Sequence, residues 1–220
     1  MLISQLVISN YPILNLSDKV AFALQLMEDY EAQHLPVVYE EKFVGLITKD
    51  DLLDLDETLS LSALEDQQLI KASVMQQEHL FTALKVVANQ TLSVLPVITT
   101  EKELLGVITQ KELMRCVNLF LGTEEPGGII TLQMDRRNFS FGEISRLVET
   151  NDAIITQLNT MTEADTGLVN VTVKINKVEI SDVIATFQRY DYNVVNYFGE
   201  EAYENELKEN YDLLMTYLKI

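Results

Sequence analysis

The chain has 220 residues, 47% of them hydrophobic, and carries a formal net charge of −18 from 16 basic against 34 acidic side chains. That apolar content excludes a disordered chain, and acidity on this scale repels nucleic-acid backbones and disfavours loose electrostatic capture of phosphates. A lone cysteine, Cys116, rules out an intrachain disulfide framework, and no run is long and apolar enough to span a bilayer.

The first residues, with LVISN as a short extended piece, lack the basic flank of a signal peptide, so the expected location is the cytoplasm, with no membrane and no nucleic-acid partner. Val20, Ala23, Leu24 and Met27 follow at i, i+3, i+4 and i+7, one helical stripe. Ser17 is placed to cap this helix, with Asp18 at the positive end of its dipole. From His34 the chain reads HLPVVYEEKFVGLITKDDLL. LPVV and FVGLI are short apolar strands, and a polar joint of about three to five residues between such strands predicts a hairpin. Thr48 then opens a second helix with Asp50 and Asp51 in its first turn.

Sixty positions after Pro36 comes Pro96, and the text around it repeats. IKASV is extended; Leu80, Ala83, Leu84 and Val87 restate the helical stripe; LPVI and LLGVI restate the hairpin; Thr109, with Glu112, restates the helix start. One copy is too small to cover its own strands, so two packed face to face form the stable unit.

The doubled pattern h-P-V-h, polar turn, h-h-G-h-I-T, x-x-D/E-h-h resembles a tandem pair of cystathionine-β-synthase (CBS) domains, a Bateman module, over residues 1–60 and 61–122. The resemblance implies a cleft that takes an adenosine derivative: AMP, ADP or ATP. In the family's T/S-x-x-D motif the hydroxyl reaches phosphate and the carboxylate accepts from both ribose hydroxyls, beside a helix N-terminus that offers amides to phosphate. Thr48 and Asp51 match that motif; Thr109 and Glu112 match with a longer acid. His34 stands where ligand-binding members keep a basic residue for phosphate, and its counterpart Val94 cannot do this. Thr48 and Asp51 would serve equally well as a helix cap and first-turn acid without any ligand. His34 would serve as a structural histidine and Cys116 as a buried, inert thiol.

TEEPGG, residues 123–128, reads as a linker. Beyond it the pattern is strand (IITLQM), helix (FGEISRLVE), strand (AIITQL), strand (LVNVTVKIN, after a Thr166-Gly167 turn), helix (Ile180, Val183, Ile184, Phe187) and strand (NVVNYF). This βαββαβ order over 129–198, with FGEISRLVE in its first helix, resembles the ferredoxin-like ACT domain, a ligand-sensing module. Asn138-Phe139 replaces the Pro-Gly that the family commonly carries before that helix, so amino-acid binding is not carried over. Leu207, Tyr211, Leu214 and Leu218 predict a closing helix over 199–220. A mixed α/β chain of CBS pair, ACT-like domain and tail helix is similar to acetoin-utilisation-type regulatory proteins. The expectation is a non-enzymatic sensor that forms a homodimer and acts on an unknown target protein. The alternative is a ligand-free scaffold. Neither GxGxxG nor GxxxxGKS occurs, and His79 has no second metal ligand at a recognisable spacing.

Overall fold

A computed structural model describes residues 1–199; the expected closing helix lies past them. The described chain forms two units, one from Met1 to Val117 and one from Asn118 onward.

In the first unit the sixty-residue period of the sequence becomes a period of hydrogen bonding. β1 (Leu14–Asn15) runs parallel to β2 (His34–Tyr39), which pairs antiparallel with β3 (Lys42–Thr48). β4 (Val74–Met75), β5 (Val94–Ile98) and β6 (Leu104–Thr109) repeat that order, with Leu14 opposite Val37 and Val74 opposite Val97. Helices α1 (Val20–Asp29) and α3 (Leu80–Gln90) precede the hairpins. Their stripes are buried at Val20, Ala23 and Met27 in one and at Leu80 and Ala83 in the other. Helix α2 (Lys49–Leu53) follows β3, and α4 (Gln110–Phe120) follows β6.

Ser17 does not cap α1. The N-cap is Lys19, which makes no side-chain cap. The segment 57–59 satisfies the first amides instead: Val20 N–H donates to Leu59 O (2.9 Å) and Ala21 N–H to Glu57 O (3.0 Å). Asp18 is held one step earlier, accepting from Asn15 N–H (2.8 Å) in a turn that Glu78 repeats with Met75 (2.7 Å). Here backbone partners from elsewhere in the chain displace the local side-chain cap.

Those partners reveal an exchange that one repeat alone does not announce. The arm leading into the first repeat serves the second: Leu80 N–H donates to Met1 O, Ile3 N–H to Glu78 O, and Ile8 bridges Val107 in β6. The arm leading into the second repeat serves the first: Leu61 N–H donates to Asp18 O, and Ile70 bridges Leu46 in β3. Ile3 is buried in the core of the second repeat, and Leu61 and Leu69 in that of the first. Each repeat therefore completes the other's core, a stronger reason for the pair than face-to-face covering.

The second hairpin joint, residues 99–103, has the expected length, but the first differs from expectation. It is a two-residue turn, Glu40-Glu41, with φ of 48° and 65°, the double-positive geometry of a type I′ turn. β2 and β3 consequently run further than LPVV and FVGLI.

The second unit contains β7 (Ile129–Met134), α5 (Phe141–Glu149), β8 (Ile155–Thr162), β9 (Val169–Ile175), α6 (Ser181–Arg189) and β10 (Asn193–Phe198). The antiparallel sheet is ordered β10-β7-β9-β8. Alternation in β9 buries Val169, Val171, Val173 and Ile175 against Ile144, Leu147 and Val148 of α5 and Val183, Ile184 and Phe187 of α6. Both helices therefore cover one sheet face. Gly127 and Gly128 of the expected linker are packed rather than loose: a Cβ on Gly127 would meet Ile175 O at 2.0 Å, and Gly128 N–H donates to Lys177 O (2.7 Å).

Candidate functional site

Thr48 ends β3 and caps α2, so its hydroxyl and the Asp51 carboxylate meet within one turn. Thr48 Oγ1 accepts from Asp51 N–H (3.0 Å) and donates to Asp51 Oδ2 (2.5 Å). The two are each other's caps, and a phosphate ligand would have to take the Thr48 hydroxyl from Asp51. Helix α2 has five residues, so the helix-end amides implied by the family resemblance contribute little dipole here.

His34 opens β2 directly opposite Thr48. Its ring is claimed from the other repeat: Nδ1 lies 2.8 Å from Ser93 Oγ and accepts, at 3.4 Å, from Ser93 N–H. Tyr11 O–H donates to the His34 carbonyl (3.4 Å). Burial pushes the His34 pKa down, against the pull upward from Asp51 and Asp50. Ser93, one residue before the repeat's aligned position, was not legible as a partner, because it faces His34 only once the repeats are paired.

The second half is arranged differently. Thr109 Oγ1 accepts from Glu112 N–H (3.2 Å), as Thr48 does from Asp51. The Glu112 carboxylate, however, is forked to Arg115, with Oε2 3.0 Å from Nε and Oε1 2.6 Å from Nη2, and takes a 3.7 Å contact from Cys116 Sγ. The Arg115 hydrogen bond holds the Glu112 carboxyl below the usual range, and burial pushes the Cys116 thiol up. Cys116 is buried in the core cluster. Glu112 thus reaches forward one turn along α4 to Arg115.

Two of the cavities among the described residues bear on the expectations, and both lie away from these side chains. One of about 410 Å³, at the opposite end of the hairpins, is lined by Ile13, Val38, Glu41, Glu103 and Leu104. The other, of about 600 Å³ in the second unit, is lined by Arg137, Phe139, Ser140, Glu143 and Tyr192 among others. Phe139 sits at φ −71°, which requires no glycine, and its side chain packs partly into the core. Burial, with a hydrogen bond donated to the Glu143 carboxylate, pushes the Tyr192 hydroxyl up to about 12. Among the described residues no group of His, Cys, Asp and Glu is placed to hold a metal ion, and no helix is long and apolar enough to cross a membrane.

The family model of the CBS domain matches residues 3–57 and 72–118, and the first unit carries a pair of CBS domains. Inosine-5'-monophosphate dehydrogenase of Methanocaldococcus jannaschii is 30% identical over 100 residues, 44% of this chain; the match spans a fifth of the length of that relative. A CBS domain pair/ACT domain protein from Thermotoga maritima is 23% identical, with a TM-score of 0.50 over 55% of this chain and 99% of that one. A candidate acetoin utilization protein from Vibrio cholerae is 21% identical, with a TM-score of 0.47 over 57% of this chain and 97% of that one.

Proposed function

With a CBS pair as its first unit, we propose that the chain is a non-enzymatic sensor that binds an adenosine phosphate beside Thr48 and acts on a target protein still to be identified. The observation that carries this reading is the asymmetry between the halves. Asp51 keeps a short carboxylate bonded to Thr48, across β2 and β3 from the His34 ring, whereas Glu112 is tied to Arg115. One carboxylate accepting from both ribose hydroxyls is a charge-assisted pair of bonds, and Asp51, engaged by a single hydroxyl and no cation, has lone pairs left to form it. Thr109 and Glu112 are the weaker half of the same module.

The second unit is proposed as an ACT-like domain that supports a homodimer. In its favour are the βαββαβ order, β8 as an edge strand of the described sheet with Met161 65% exposed, and Phe198 67% exposed on β10 at the other edge. Sedimentation of the full chain at micromolar concentration is expected to give the mass of two chains; a single-chain mass contradicts the dimer. The ligand-free scaffold remains a second reading, favoured by the mutual capping of Thr48 and Asp51.

Calorimetric titration of the full chain with AMP, ADP and ATP separates the two. Asp51→Ala leaves two ribose hydroxyls without a charged acceptor, a loss of about 1.5–3 kcal/mol, so affinity falls by about tenfold to a hundredfold. Glu112→Ala changes it by less. No heat from the wild-type chain, with Asp51→Ala costing only helix-start stability, supports the scaffold.

A further inference from the structure

Resting on the nucleotide reading, the contacts of His34 carry a statement about which nucleotide. Two groups of Ser93 converge on one ring nitrogen: Oγ at 2.8 Å and the backbone N–H at 3.4 Å from Nδ1. A backbone N–H can only donate, so Nδ1 must offer its lone pair, and the proton of the neutral ring resides on Nε2. Protonating Nδ1 would set an N–H against the N–H of Ser93. The ring is half-buried at the start of β2, where desolvation also opposes the cation.

We infer that Ser93, supplied by the second repeat, is a positioning residue that keeps His34 as a neutral Nε2–H donor, so that the Thr48 corner prefers a nucleoside monophosphate to a polyphosphate. Asp51 and Asp50 of α2 pull the ring toward the cation, burial and the Ser93 N–H oppose them, and Tyr11 reaches only the His34 carbonyl. A neutral donor gives one hydrogen bond to a phosphate oxygen and no compensating charge. Each further phosphate meets two carboxylates within a strongly acidic chain. A cationic histidine would have reversed that preference.

The chain has only two histidines, so nitrogen-15 NMR of the imidazoles, with His79→Gln to assign them by subtraction, reads His34 directly. The expected spectrum of the full chain near neutral pH shows Nδ1 unprotonated and a titration midpoint below the free value of about 6.5. Ser93→Ala keeps the backbone N–H but removes the hydroxyl 2.8 Å from Nδ1, whose bond favours the unprotonated nitrogen, and so moves that midpoint upward. In parallel titrations AMP binds the wild-type chain about tenfold or more tightly than ATP at the same pH, and Ser93→Ala narrows the ratio to about threefold or less. A merely structural Ser93 would lower both affinities alike and leave their ratio unchanged, which overturns the inference. So does a protonated Nδ1, or ATP binding as tightly as AMP. If neither nucleotide binds while Nδ1 is unprotonated, the nucleotide reading itself has failed and the selectivity falls with it.

Discussion

Gly106 shows how a single residue can hold the two repeats together. It sits at φ +149°, and a Cβ there would meet the Ile8 carbonyl oxygen at 2.5 Å. Its counterpart Gly45 faces Leu69, whose Cβ would lie 2.7 Å from an added methyl. The glycine in each h-h-G-h-I-T strand is therefore the contact point for the arm of the other repeat. Gly106→Ala combines an unfavourable backbone angle with overlap against main chain that cannot swing aside. Its expected cost is about 2–4 kcal/mol. Urea denaturation of the variant measures it, and a change within about 0.5 kcal/mol, the range of ordinary surface substitutions, would show that Ile8 does not approach as described. His34 teaches a related lesson at this scale. As a residue type it suggested a basic phosphate contact, but its ring is occupied by Ser93, and only the pairing of the repeats brings Ser93 to it.

At the scale of elements, alternation and helical spacing located most of the strands and helices. FGEISRLVE coincides with α5, and the alternating Val169, Val171, Val173 and Ile175 with β9, because burial on one face writes directly into sequence. What stayed hidden was set by distant backbone. Ser17 satisfied every local rule for a cap, yet carbonyls at 57 and 59 reached the helix first. Thr48 and Asp51 were legible as a pair because their contact spans one turn, while the engagement of Glu112 by Arg115 depends on a rotamer that spacing does not specify. The first hairpin turn was misjudged for a different reason. Type I′ turns favour Asn-Gly, and Glu40-Glu41 is a poor occupant of two positive-φ positions. Replacing the pair by Asn-Gly relieves that backbone cost while retaining the main-chain bond from Leu104 N–H to position 41. The double substitution should stabilise the chain by about 1 kcal/mol after the greater unfolded-state freedom of glycine is counted. A thermal melt checks it; an unchanged or lowered midpoint would argue against the two-residue turn.

For the whole molecule, the first unit is two repeats that cannot be separated cleanly, since each core contains the other's arm. That arrangement suits a sensor. A ligand bonded to Thr48 and Asp51 in one repeat, and to a His34 ring held by Ser93 of the other, would bias the fit between repeats and so report on their pairing. The acidic surface, at −18, leaves selectivity to such placed groups rather than to long-range attraction. The most direct measurement is a crystal structure of the full chain grown with saturating AMP. The account predicts one nucleotide with its ribose hydroxyls on Asp51 and its phosphate against Thr48 and the Nε2 side of His34. A nucleotide seated on Thr109 and Glu112, or in the hairpin-tip cavity by Glu41 and Glu103, or a chain that remains empty, would contradict it.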